Sequence, residues 1–320
     1  MNTAAMPATS NGLSPNGISM VPDSAALSEV VAENTEGLDL SRTALLVKLT
    51  INQYSPKKKS DLVAQEAAER HNADPQSLEG RARIIAKDAL AEVTAAVSKA
   101  RTAFAFYTVP WDDSGYRLLP SKMYPKLMAI LRDSENHFID AVDRLVARRD
   151  ALEAEARTSL NEEIFNEVGF PSESEMRDGY GFKCDQMPLT NPKDIRLSHV
   201  SQEQIEAIQR GVQARFDAKA QSGVGEIVER MMALVKRVAE NCEADKPRIY
   251  DTLIGNIREA CEILPDLNMT DNPEIARLIV RLQERLTGFE VEQLRSDPTV
   301  RKQAASAANG LLDDLRNFGL

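Results

Sequence analysis

Between Val47 and Asn52 apolar and polar side chains alternate: Val47, Leu49 and Ile51 point one way, Lys48, Thr50 and Asn52 the other. A period of two is the signature of a half-buried strand. Leu45-Leu46, just before it, leave a helical reading of the start open. A lone strand is unstable. The stretch from Phe182 to Leu197, or a second copy of the chain, is the candidate partner. Ile195-Arg196-Leu197 reads as a short strand of its own.

Elsewhere the period is that of a helix. Ser60 is a candidate N-cap for a helix through His71. A long helix is expected from about Gln76 to Tyr107, with Ile84, Ile85, Val93, Val97, Ala100, Phe104 and Tyr107 on one face and Gly80 as a weak point. A longer pattern runs from about Ser121 to Val168. Its stripe includes Leu131, Phe138, Leu145 and Leu152 at intervals of seven, a coiled-coil-like seam interrupted by Glu135 and Arg149. Antiparallel pairing of these two rods is the natural arrangement. Ser201 and Gln204 form a capping box for a further helix. Two glycines, Gly223 and Gly225, remove about 2 kcal/mol of helix propensity from it, so a kink or break is expected there. Three more amphipathic helices follow near Pro247–Leu264, Pro273–Leu286 and Phe289–Phe318, the last interrupted at Asp297-Pro298.

Two stretches break the helical pattern. From Thr108 to Pro120 the chain carries its one tryptophan, two prolines and a glycine. Pro110 ends the first rod and Pro120 opens the second. Asp112, Asp113, Ser114 and Gly115 supply turn chemistry, and Trp111 is expected to pack back onto the two rods. The second stretch, Gly169 to Val200, is long for an irregular segment. The organisation read from this pattern is a disordered tail over 1–41, a strand plus long helical hairpin over 42–168, an irregular loop or β excursion over 169–200 and a helical region over 201–320. The fold class is mainly α: a long antiparallel helical hairpin or coiled-coil-like bundle with a small β element near 45–54 and an irregular insertion near 169–200.

Composition narrows the picture. Aromatic residues make up 5% of the chain, too few for a sandwich or barrel. The formal charge of −10 opposes a nucleic-acid backbone unless basic residues are segregated on one face. Cys184, Cys242 and Cys261 make no disulfide framework and suit a reduced, cytoplasmic setting. No apolar run approaches the length of a membrane span. Met1 to Ser41 holds no lysine or arginine, unlike a secretory or transit signal. Its polar, Pro- and Gly-containing composition cannot bury enough apolar surface to order itself, although Ala25–Ala32 has helical character.

Candidate chemistry is sparse. No P-loop pattern occurs, and the paired glycines Gly179/Gly181 and Gly223/Gly225 lack the third glycine and preceding strand of a dinucleotide site. His71, His137 and His199 form no metal-binding pair. Cys184 with His199 supplies two ligands where zinc wants more. No cofactor or metal is expected, and no nucleophile–base–orienter set is legible. Asp112-Asp113 beside Trp111 is the one acidic pair set among apolar residues. A role in the turn is the stronger reading, and an enzyme site there would need an open pocket beside Asp112, Asp113 and Arg117. The candidate corner is therefore Trp111, Asp112, Asp113, Tyr116 and Arg117. The candidate basic patch is Lys57, Lys58 and Lys59, near Lys48; a second cluster is Arg144, Arg148 and Arg149. Acidic neighbours favour solvated, salt-bridged faces for both.

Three segments carry a resemblance: Leu49-Thr50-Ile51-Asn52-Gln53-Tyr54 followed by lysines and a helix ending at His71; Gly80-Arg81-Ala82-Arg83; and Val109-Pro110-Trp111-Asp112-Asp113-Ser114-Gly115-Tyr116-Arg117-Leu118-Leu119-Pro120. Over about residues 42 to 215 the chain resembles a group of uncharacterised proteins of tailed bacteriophages and prophages. The resemblance implies a phage protein in the bacterial cytoplasm and carries no established activity. Some similar phage proteins are encoded near MoxR-type AAA+ ATPases, which makes such an ATPase a candidate partner. Together with the interrupted heptad, these readings lead to a non-enzymatic helical interaction or scaffold protein. Its partner is a second copy of itself or another phage or host protein, and no membrane. The alternative is a nucleic-acid-associated accessory protein in phage DNA replication or recombination, acting through Lys57–Lys59.

Overall fold

The alternating stretch is a strand, and it lies inside the larger of the two small antiparallel sheets. The computed structural model describes residues 40–318; the expectations for residues 1–39 of the tail, Ala25–Ala32 among them, lie outside the described residues, while Leu40 and Ser41, read as the end of the tail, are ordered in a helical turn because Leu40 is buried in an apolar cluster. The chain opens with a single helical turn, α1 (Leu40–Thr43), then β1 (Ala44–Asn52), β2 (Lys57–Lys59), α2 (Asp61–His71), β3 (Arg81–Arg83) and α3 (Ala91–Tyr107). A tight hairpin of β4 (Val109–Pro110) and β5 (Arg117–Pro120) follows, then α4 (Tyr124–Ala147), α5 (Arg149–Ser159), α6 (Glu162–Val168), α7 (Glu173–Asp178) and β6 (Gly181–Pro188). The C-terminal part is α8 (Gln202–Glu243), α9 (Thr252–Leu267), α10 (Pro273–Leu286), α11 (Val291–Ser296) and α12 (Pro298–Arg316). The protein is mainly helical with a small antiparallel sheet.

β1 lies inside a four-stranded sheet of order β4-β5-β1-β6. Val47 stands opposite Arg117 on one side, and Leu49 opposite Cys184 on the other. The partner read from the sequence, Phe182 onward, is thus present, but pairing ends at Pro188; Ile195–Leu197 is not a strand, and Pro192–Asp194 is a 3-10 turn. β2 and β3 form a separate two-stranded ribbon.

The helix expected from Gln76 begins only at Ala91. Residues 81–83 are drawn into the ribbon with β2, and Ile84 and Ile85 are buried in the core rather than forming a helical face. Gly80 sits where another residue would collide with backbone: a Cβ there would lie 2.4 Å from Ala64 N and from Ser60 O. The pattern over Ser121–Val168 is cut into α4, α5 and α6. Arg148 leaves helical geometry (φ −93°, ψ 8°), and Asn161 caps α6 through a hydrogen bond from Ile164 N–H. Leu131, Phe138, Leu145 and Leu152, the seam taken as a motive for self-association, are all buried in the protein's own core.

The break expected at Gly223 and Gly225 does not occur; α8 runs unbroken for 42 residues, about 63 Å. Val224, Ile227, Val228 and Met231 are fully buried on it. Burying such side chains is worth about 1.5–3 kcal/mol each, which outweighs the glycine penalty. Ser201 and Gln204 form the expected capping box. In the last third α10 spans the residues read from sequence, α9 starts five residues late and extends past Pro265, and Asp297 caps α12 where the interruption was expected.

Three apolar clusters hold these pieces together. The largest joins Val47 and Leu119 of the sheet, Phe104 of α3 and Leu127 of α4 to α8, α9, α10 and α12. A second gathers Ile51, Ala82, Val93, Val97, Phe138, Val142, Leu152 and Met176 around the other ends of α3 and α4. A third is small: Leu40, Leu46, Leu118, Leu189 and Phe216, with Trp111 against it.

Candidate interaction surfaces

At the corner, Asp112 is consumed by its own turn. Its Oδ1 accepts hydrogen bonds from Ser114 N–H (3.0 Å), Ser114 Oγ (2.7 Å) and Tyr116 N–H (3.1 Å). Burial alone would raise its pKa, but these bonds and the charge of Lys219 bring it below the ordinary aspartate value. Gly115 adopts φ +91°, which any other residue would resist. Asp113 is exposed. Tyr116 lies under Lys48, 5.4 Å from ring centre to Nζ, with its hydroxyl against Met187. Trp111 packs edge-on against Phe216 of α8 at 5.3 Å. The expectation that it would return to α3 and α4 is therefore corrected. The reason is geometric: the hairpin projects from the sheet toward α8, and Phe216 supplies the apolar surface there.

Arg117 turns away from both aspartates. Its Nε donates to Thr108 Oγ1 at 2.6 Å, and Nη2 donates to the carbonyls of Thr108 (3.0 Å) and Ala105 (3.4 Å). Arg230 of α8 reaches the same place: Nη1 donates to Phe106 O (3.0 Å), and Nη2 to Thr108 O (2.6 Å) and to Glu226 (3.0 Å). These carbonyls are the orphan acceptors at the C-terminus of α3, where cations are favoured. Burial and then the neighbouring Arg230 lower the pKa of Arg117, with Glu226 partly offsetting them. The corner is thus a joint that fastens a helix end to the sheet and to α8; its acidic pair and its arginine do not converge.

The three lysines form β2, and β3 adds two arginines to them: Lys57 faces Arg83 and Lys59 faces Arg81. In the sequence the three lysines are one run. Alternation instead separates Lys58, half-buried opposite the buried Ala82, from the exposed Lys57 and Lys59. Lys58 lies near Glu175, whose carboxyl is held below its usual range first by hydrogen bonds from Ser172 and also by that lysine. Lys59 pairs with Asp61 (3.0 Å), and Arg81 with Glu79 (3.4 Å). At the adjacent N-terminus of α2, Glu167 accepts from Ser60 Oγ (2.5 Å), Asp61 N–H (2.8 Å) and Leu62 N–H (3.2 Å).

The other candidates stay apart. Burial, with a further push from Asp185, raises the Cys184 thiol to about 11, and burial raises Cys261 to about 11. His199 is exposed in a left-handed conformation (φ 65°), and His137 leans on its own helix at Asp133. Among the described residues no group of three His, Cys, Asp or Glu side chains is placed to hold a metal ion. Arg144 bonds Glu92 (2.7 Å), Arg148 approaches Glu155 and Arg149 bonds Glu153 (2.6 Å), so that cluster is a salt-bridged face. Among the described residues no helix is long and apolar enough to cross a membrane.

One surface escaped the sequence reading. From Gln202 to Arg215 no side chain of α8 is buried; burial starts at Phe216. Gln209 donates to Ile195 O, holding the 189–197 segment along this half of the helix. On this half of the helix Ile208 is 40% exposed, and in the segment that precedes it Leu197 is 47% exposed. The stripe Ile205, Ile208, Val212, Phe216 was visible, but only the fold shows that its first part lacks a full cover. No family model, curated protein or solved structure matches the chain.

Proposed function

We propose that this protein is a non-enzymatic interaction scaffold and that the N-terminal half of α8 is its contact element. One observation carries the reading: a helix anchored in the core by its C-terminal half extends about 20 Å of largely uncovered surface. That surface holds Ile208 exposed, and Leu197 is exposed in the segment that leads into the helix; these two are the apolar positions it offers a partner. α3 and α4 serve as the stiff support, a coiled-coil-like hairpin in which Glu92 at the start of one bonds Arg144 near the end of the other. Because the heptad seam faces inward, it is not the docking surface, and α8 takes that part. The resemblance to phage and prophage proteins supplies the proposed setting, the bacterial cytoplasm. The partner is a second copy of this chain or a phage or host protein such as an AAA+ ATPase.

Light scattering on the purified chain, alone and mixed with a MoxR-type AAA+ ATPase, tests this. A mass above the monomer is expected in one of the two mixtures, reverting to the monomer in Leu197→Asp/Ile208→Asp with an unchanged circular dichroism spectrum. A strict monomer in both mixtures overturns the reading, as does an assembly indifferent to the two substitutions.

A further inference from the structure

We infer that the β2–β3 ribbon is a binding site for the phosphodiester backbone of a nucleic acid, with Lys57 and Arg83 as its principal contacts and Lys59 and Arg81 as secondary ones. The inference does not depend on the α8 contact surface.

The ribbon sorts its side chains by face. Ala82 and the following Ile84 point into the second core cluster. The exposed Lys57, Lys59 and Arg81 and the half-buried Arg83 therefore share the opposite face, as two directly opposed like-charged pairs. Like charges placed opposite one another across a ladder are destabilising. A ribbon needed only to cover the core would do better with any neutral pair at those positions. Asp61 and Glu79 relieve the Lys59/Arg81 pair, through ion pairs whose partners are all well exposed. Among the described residues no carboxylate forms an ion pair with Lys57 or Arg83. The charge tension is thus greatest at one end of the ribbon.

The spacing identifies the anion. The two cation pairs are two residues apart along the strands, about 6.6–6.8 Å. That repeat suits consecutive phosphates of one strand better than a single free phosphate. A membrane surface would call for large apolar side chains beside the cations. The exposed large apolar residues Ile139, Met187, Leu197, Ile208, Tyr250 and Val280 all lie outside the ribbon. The net charge of −10 does not forbid local binding, since charges more than about 8 Å away are largely screened at physiological salt.

Fluorescence anisotropy with labelled single-stranded DNA, single-stranded RNA and duplex DNA, over a salt series on the full chain, tests this. Retention at low salt is expected, with a log–log salt slope between about −2 and −4. Lys57→Gln/Arg83→Gln should weaken binding about tenfold and flatten that slope by about 2, while Lys57→Arg/Arg83→Lys keeps it. The melting temperature of the neutral variant should hold or rise, because the opposed charges are gone. Lys48→Gln/Lys183→Gln removes the same charge from the sheet face and should leave binding intact. The inference is overturned by no retention of any of the three nucleic acids at low salt. Equal loss in both double variants overturns it too, as does capture by phosphatidylserine vesicles without any nucleic-acid binding.

Discussion

Thr108 is fully buried, yet its hydroxyl and its carbonyl both receive guanidinium protons. Its own hydroxyl also donates to Phe104 O at 2.6 Å, so the last turn of α3 is closed from three directions. Arg230 is the member whose loss is felt most widely. It bridges carbonyls 122 and 124 positions away, and its side chain is only 16% exposed. Arg230→Met keeps the aliphatic stem but leaves Phe106 O short of a donor and Glu226 without its cation. Charge-assisted bonds of this kind are worth about 1.5–3 kcal/mol, and urea unfolding should show a loss of about 2 kcal/mol. A loss below about 0.5 kcal/mol, the range of an ordinary surface substitution, would mean that Arg117 alone caps the helix. The sequence made Arg117 conspicuous by placing it beside two aspartates and Trp111. It gave no sign of Thr108 as the target or of Arg230 as the second donor, because a contact over such a separation leaves no local pattern.

Among the elements, two glycines separate close approach from mere permissiveness. Gly80 lies between α2 and the ribbon, with its carbonyl accepting from Ser60 N–H at 3.0 Å. Gly80→Ala would drive a methyl into fixed backbone and should cost about 2–3 kcal/mol, while also loosening the ribbon. Gly225 has open space around it inside α8. Gly225→Ala should therefore raise stability by about 1 kcal/mol, the ordinary propensity gain. Thermal melts of the two variants should move in opposite directions; a destabilising Gly225→Ala would reveal bending of α8 that the continuous helix does not show. This contrast also explains what could be read beforehand. The strand at Val47–Ile51, the caps at Ser60 and Ser201 and the α10 boundaries have strong local signals. β3 is only three residues, Arg81–Arg83, and acquires strand geometry solely from pairing with β2. The breaks at Arg148 and Leu160 carry neither glycine nor proline, so periodicity ran through them.

For the whole molecule, the position of Trp111 makes cooperativity measurable. It is the one tryptophan of the chain and sits on Phe216, where the sheet meets α8. Helical signal, by contrast, comes from elements distributed over all three clusters. Those clusters are not independent. α3 contributes Phe104 to the largest and Val97 to the second, α4 contributes Leu127 and Phe138 respectively, and Leu49 and Phe182 touch both. β6 returns the chain to β1 after α7, so the stretch between Gly169 and Val200 is woven into the sheet. A disruption of one cluster must therefore strain the helices that line the other. Urea unfolding followed by Trp111 fluorescence and by far-ultraviolet circular dichroism should give coincident midpoints, the signature of one cooperative unit. If fluorescence changes well before the helical signal, the sheet–α8 joint opens by itself. The shared helices would then be insufficient to couple the clusters, and the molecule would be hinged at Phe216 rather than rigid.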